Sequence, residues 1–221
     1  MSPTMHLVFE QIRTGGDRNF GYLLGDRHAG RAVLIDPSYA PELLVDRARE
    51  QHLTVTHIVN THGHPDHING NAQAVALTGA PVAAHPDVPT HVDVRLTGGG
   101  TLNVGTLGLH FFHTPGHAAD HLVIFEPSYG ILITGDLLFV GKVGGTRSEP
   151  DARTEWDSLQ RLLAAVPDEA TVWPGHDYGI RPSSTIGLEK KTNPFLLCRD
   201  VEAFIRIKAE WPEVKKRYGL K

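Results

Sequence analysis

A layered α/β domain is what this sequence predicts, and three observations carry the prediction. Short apolar runs of strand character alternate with stretches of helical spacing. The chain divides into two halves of similar plan, each with several strands, a histidine-bearing loop and then a helix. Histidines and aspartates stand directly after strands at glycine or proline turns, where a rigid scaffold carries functional loops.

The 221 residues fit one large domain, or one domain with a short appendage; 40% are apolar and 21% charged, the mix of a globular chain able to bury a substantial core. The net charge is -4, and Lys/Arg blocks are absent before the C-terminal tail, so neither composition nor charge suggests a nucleic-acid partner. Met1 to Arg13 lacks the pattern of a signal peptide, and apolar runs stay well short of the ~20 residues that cross a membrane. A soluble, cytoplasmic protein without a membrane partner is expected. A single cysteine, Cys198, leaves histidine and carboxylate as the ligands of any metal site.

In order, His6 to Ile12 alternates as a half-buried strand does, and Phe20 to Leu24 and Arg31 to Ile35 read as a hairpin around Gly25 to Gly30. Asp36-Pro37-Ser38 opens a loop, and Pro41 starts a helix to about Gln51, where its missing N–H costs nothing. Val55 to Thr61 is a strand, Ala72 to Leu77 a helix, and Pro81 to Ala84 a short strand; residues 86 to 100 read as connection. The second half offers strands at Thr101 to Val104, Leu107 to His113, Leu122 to Phe125 and Ile131 to Thr134. A glycine-rich loop, Gly141 to Pro150, precedes a helix from Thr154, its expected cap, to Val166. Ala170 to Trp173 is the last strand, residues 177 to 197 are polar, and the tail reads as a helix from Arg199 to Lys208 and another from Pro212. Residues 1–180 are expected as the domain, and 181–221 as a helical extension packed on it.

Three histidines and an aspartate fall within six positions: His62, His64, Asp66 and His67. Further on, His117, Asp136 and His176 each follow a strand at a turn. Imidazole and carboxylate suit Zn, Fe and Mn. Seven donors exceed the four of one tetrahedral ion and suit two ions ~3.5–4 Å apart with a shared carboxylate. Residues i and i+2 of an extended segment point the same way, so His62 and His64 can serve one ion while Asp66 and His67, past the Pro65 bend, serve the other.

The series His62-x-His64-x-Asp66-His67, then His117, Asp136 and His176, resembles the metallo-β-lactamase superfamily across residues 6 to 180. The resemblance implies a four-layer αββα sandwich. It implies that His62, His64 and His117 bind one metal, that Asp66, His67 and His176 bind a second, and that Asp136 bridges. Two divalent ions are expected, zinc first, with iron or manganese as the others. Thr114-Pro115-Gly116-His117, Gly135-Asp136-x-Leu138-Phe139-Val140, Gly175-His176-Asp177-Tyr178 and Glu189 to Leu196 are similar to the glyoxalase II-like branch, which includes hydroxyacylglutathione hydrolases and persulfide dioxygenases. In the dioxygenases a single iron is held by the equivalents of His62, His117 and Asp136.

Two departures concern the substrate. Those enzymes carry a Lys or Arg just after a Gly-Cys-Gly that contacts glutathione. Here the loop reads Gly141-Lys142-Val143-Gly144-Gly145-Thr146-Arg147, so Lys142 and Arg147 flank that position and Gly145 occupies it. The tail is also shorter than the helical domain of full-length glyoxalase II.

The expected function is hydrolysis of a small-molecule thioester of the hydroxyacylglutathione type by a metal-bridged hydroxide that Asp66 aims. The alternatives are a mononuclear iron persulfide dioxygenase, and a lactonase or other ester hydrolase. Lys142, Arg147 and Tyr178 are the candidate substrate contacts. Other residues have plainer readings: His113 and His121 as surface or supporting groups, His85 in a strand-end loop, and His57 as structural. Cys198, Trp156 and Trp211 read as packing residues, and Lys215 to Arg217 as a solvated helix face.

Overall fold

The computed structural model describes residues 6–218. The chain runs β1 (Leu7–Gly15), β2 (Asn19–Asp26), β3 (Arg31–Ile35), α1 (Pro41–Glu50), β4 (Thr54–Val59), α2 (Pro65–Ile68), α3 (Asn71–Thr78), β5 (Val82–Ala84) and β6 (Val94–Arg95). It continues through β7 (Thr101–Val104), β8 (Leu107–His113), β9 (Leu122–Glu126), β10 (Ile131–Gly135), β11 (Leu138–Phe139), β12 (Lys142–Val143) and α4 (Glu149–Ala165). It ends with β13 (Thr171–Pro174), β14 (Ser184–Thr185), α5 (Ile186–Thr192) and α6 (Val201–Tyr218).

Two six-stranded sheets, ordered β1-β2-β3-β4-β5-β6 and β14-β13-β10-β9-β8-β7, face one another. Each begins as an antiparallel meander and then adds a parallel strand through a helical crossover: β3 to β4 through α1, and β10 to β13 through α4. The similar plan of the halves is thus real topology. Inward-facing Phe20, Tyr22, Val33, Leu109, Phe111 and Ile124 form the core between the sheets. Each such fully buried side chain contributes roughly 1.5–3 kcal/mol. The outer face of the first sheet packs on α1 through Leu23, Leu34, Leu44 and Val45. The outer face of the second packs Val123, Leu132 and Val172 against Leu159, Leu162 and Phe204 of α4 and α6. Helices outside, sheets inside: this is the αββα order.

The sheets are stitched where the ligand-bearing loops gather. Leu122 N donates to Thr61 O at 2.7 Å, and Phe20 N to Gly175 O at 2.8 Å. Gly135 and Pro174 are paired across β10 and β13, which sets the residues following them abreast.

The elements differ from expectation in several places, among them β6, which lies within the stretch read as connection and pairs with β5. Helix α4 starts one turn and a half earlier, because Ser148 caps it by accepting from Asp151 N; Thr154 bonds back to Pro150 O. The glycine-rich loop contains β12, paired with β11. The polar stretch after Asp177 supplies β14, an edge strand on β13, and α5, capped by Thr185. The tail is one helix with Pro212 inside it: Phe204, Ile205 and Trp211 all pack on the second outer cluster, holding both parts on one axis. A proline there removes one backbone bond, a cost the packing offsets. Among the described residues no helix is long and apolar enough to cross a membrane.

Candidate metal centre

Strand β4 ends at Val59 and His64 is itself extended, and the imidazoles of His62 and His64 turn toward each other, Nε2 to Nδ1 at 2.9 Å. Pro65 then begins the single turn of α2, which swings Asp66 and His67 to the other side. Asn60 fixes the bend, donating to His67 O at 3.3 Å and Asn71 Oδ1 at 3.2 Å. The second sheet contributes from three strand ends: His117 after β8, Asp136 after β10 and His176 after β13.

The seven side chains meet in three overlapping groups: His62, His64 and His117; His62, His67 and Asp136; and Asp66, His67 and His176. In each, the ligand atoms lie within 4.8 Å of one another. His64 Nδ1 stands 2.9 Å from His62 Nε2 and 3.0 Å from His117 Nε2. His176 Nε2 stands 3.3 Å from His67 Nε2 and 3.4 Å from Asp66 Oδ2. Asp136 reaches both sides: Oδ2 is 3.6 Å from His117 Nε2 and 3.3 Å from His176 Nε2, and Oδ1 is 3.5 Å from His67 Nε2. Gly175 permits this approach, since a Cβ there would press into Asp136 Oδ1.

These donors fit a divalent cation. Ligands ~2.0–2.1 Å from one ion stand about 3 to 3.4 Å apart, the spacing seen here. Uncharged imidazole lone pairs converging at that distance repel unless a cation lies among them. Asp136 Oδ1 is buried without a hydrogen-bond partner, a cost a metal removes.

The two sides differ electrostatically. Burial pushes His62, His64 and His117 below the usual imidazole range, so they are neutral at pH 7. Burial acts on His67 and His176 too, but carboxylates override it. Asp136 and Asp36 lift His67 well above its ordinary value, and Asp136 and Asp66 raise His176 to about 9. Asp66 is held far below the carboxylate range, first by its hydrogen bond with His176.

A second layer of contacts aims these groups, as supporting partners of metal ligands do. Asp36 Oδ2 lies 2.9 Å from His67 Nδ1 and accepts from Thr61 Oγ1 at 2.6 Å, while Oδ1 accepts from Thr61 N at 2.8 Å. Asn19 donates to Asp66 Oδ2 at 3.1 Å. Gly63 N donates to Asp120 Oδ2 at 3.0 Å, pinning the turn between His62 and His64. His176 Nδ1 donates to Asp17 O at 2.9 Å, and His117 Nδ1 to Gly145 O at 2.7 Å. His121, fully buried and pushed to about 3 by burial, accepts from Asp136 N at 3.1 Å. The sequence marks His121 as a possible support. Asp36, Asn19 and Asp120 carry no sequence pattern; the one available signal is an aspartate directly after a strand, shared by Asp36 and Asp136.

Tyr178 stacks on His176 with ring centroids 4.7 Å apart, and its hydroxyl donates to Asp17 Oδ2 at 2.6 Å. Lys142 Nζ sits 3.7 Å from the centre of the Tyr178 ring, and burial and nearby Lys215 lower it to about 8. Arg147 lies farther along the loop, on a cavity of about 740 Å³ between the loop and α6. Lys142 and Lys215 share that cavity, so Lys215 is not simply a solvated residue; Lys216 and Arg217 are exposed as expected. Cys198 is half-buried against the outer cluster. His85 stacks on His113 at 4.6 Å.

Two facing sheets with histidine and aspartate donors gathered at their shared edge define an αββα metal-dependent enzyme. The profile of the Metallo-beta-lactamase superfamily matches residues 14–176, and the chain belongs to that superfamily. Its relatives place it in the glyoxalase II-like branch. A protein named hydroxyacylglutathione hydrolase from Polaromonas sp. is 35% identical over 178 residues, which are 78% of this chain and 67% of that one. The crystal structure of ETHE1 from Myxococcus xanthus is 33% identical, with a TM-score of 0.85, covering 92% of this chain and 91% of that one. The crystal structure of TTHA1623 in a di-iron-bound form is 31% identical, with a TM-score of 0.70, covering 85% of this chain and all of that one.

Proposed function

We propose that the chain is a dinuclear metallohydrolase of thioesters of the hydroxyacylglutathione type, acting in the cytoplasm. The observation that carries this reading is Asp136, whose carboxylate faces a histidine trio on one side and Asp66, His67 and His176 on the other. His62, His64 and His117 would hold one ion, Asp66, His67 and His176 the other, and Asp136 both. Divalent ions held there, zinc by preference, would lower the pKa of water toward neutrality and polarise a carbonyl. Asp66, kept ionised by His176 and Asn19, would accept a hydrogen bond from the attacking hydroxide and aim it. A thiolate leaves without a general acid. Lys142 and Arg147 present positive charge to an anionic substrate, and the Tyr178 ring, anchored by Asp17, forms a wall beside His176.

The likeness to ETHE1, which spans nearly all of both chains, supports a second reading: an iron-dependent persulfide dioxygenase using one ion. The same preparation tests both. Metal analysis with thiol release from a hydroxyacylglutathione should give two ions per chain and steady release. One iron per chain, with oxygen uptake on glutathione persulfide, would replace the first reading with the second.

A further inference from the structure

We propose that Lys208 and Glu155 form a buried strut through which the C-terminal helix positions His117. The contacts form a continuous chain. Lys208 on α6 has a side chain only 10% exposed, and that of Glu155 on α4 is fully buried. Lys208 Nζ pairs with the Glu155 carboxylate and donates to Gly144 O at 2.7 Å. The next carbonyl, Gly145 O, is the one that accepts from His117 Nδ1. That bond fixes the tautomer that turns Nε2 toward His64 and Asp136. Gly144 N donates to Leu137 O at 3.2 Å, tying the same loop to the residue after Asp136.

The layer has no slack. A Cβ on Gly144 would stand 3.0 Å from both Glu155 Oε1 and His117 Nδ1 and would overlap the Asp136 carbonyl. Gly116, at φ 141°, lies against the backbone of Glu155, so His117 is set by α4 from below and by the loop from the side.

An ion pair is a poor device for docking a helix, because desolvating both charges cancels much of their attraction. Phe204 and Trp211 already dock α6. What the pair adds is direction: a second donor of Lys208 goes to a loop carbonyl, and Glu155 Oε1 is buried without a partner beside Gly144. Lys208 lies beyond the residues 14–176 matched by the superfamily profile, so this support comes from the tail. The inference rests on reading His117 as a metal ligand, and not on the substrate.

The test compares wild type, Lys208→Met, Lys208→Arg and the double variant Glu155→Met/Lys208→Met. The double variant removes both buried charges at nearly constant volume, a change that commonly leaves stability intact. Cobalt titration should show about tenfold weaker binding in Lys208→Met and the double variant, as when a supporting partner of a metal ligand is lost. The double variant should still melt close to wild type. Ring-¹⁵N NMR of the metal-free proteins should show a slowly exchanging His117 Nδ1–H in wild type and Lys208→Arg, lost in the other two. Wild-type cobalt affinity together with an intact Nδ1–H signal in the folded double variant would overturn the strut. Should wild type fail to bind cobalt, the metal reading of His117 falls, while the Nδ1–H signal still decides the strut.

Discussion

Both sides of the candidate centre carry histidines, but those histidines stand in opposite charge states. His62, His64 and His117 are held neutral by burial, each with one nitrogen free to ligate. Across Asp136, His67 and His176 sit among Asp36, Asp66 and Asp136 and keep protons to well above neutrality. The first trio is therefore ready for a cation at pH 7, whereas the second holds protons where a cation would stand. Carboxylate placement, rather than the count of histidines, sets how each half competes with protons for metal.

Breaking what the sides share should have the largest effect. Asp136→Ala should release metal from both, cutting turnover by more than the roughly 100-fold upper range for a supporting residue; metal content and kcat check it. Asp66→Asn should separate the sides. The protein should stay folded and keep about one equivalent of metal, with turnover down by orders of magnitude; turnover near wild type would remove the role given to Asp66. Asp36→Asn keeps a residue that tolerates its φ of 47° but weakens its hold on His67. It should cost about 10-fold in affinity on the second side and leave the first unchanged, as competitive chelation would show.

The smallest effect is on pH dependence. His176 in the folded, metal-free protein titrates near 9, above its ordinary 6.5. Its stabilising contribution is complete below about 6.5 and is lost as pH rises through about 9. Urea unfolding of chelator-treated protein should show stability falling across that window, and His176→Gln should flatten the fall. Calorimetry in buffers of different ionisation heat at pH 7.5 should find protons released only as the second equivalent of metal binds.

The donors are legible in sequence because each sits at a local signal: a dense run after a strand, or a glycine or proline turn. Their partners are not, because they arrive from far along the chain. Asn19 meets Asp66 across 47 positions, Asp36 meets His67 across 31, and Lys208 meets Glu155 across 53. No periodicity records such pairs. The layered fold is legible for the reason the donors are, since strand and crossover patterns are local. Pro212 misleads because its local rule is a weak prior that the packing of Trp211 overrides. Ser148 is missed as a cap because Pro150 within the first turn reads as loop, although proline there is compatible with a helix start.

Asp36 carries one further consequence. Its backbone is left-handed, where few residues other than glycine, asparagine and aspartate are comfortable, and its carboxylate must serve both Thr61 and His67. Glycine meets the first demand and fails the second, and glutamate the reverse. A saturation library at this position should therefore return aspartate almost alone, with asparagine a distant second, whatever the reaction selected for. The position has nearly no neighbours in sequence space, because nearly every substitution loses the backbone conformation, the carboxylate or both.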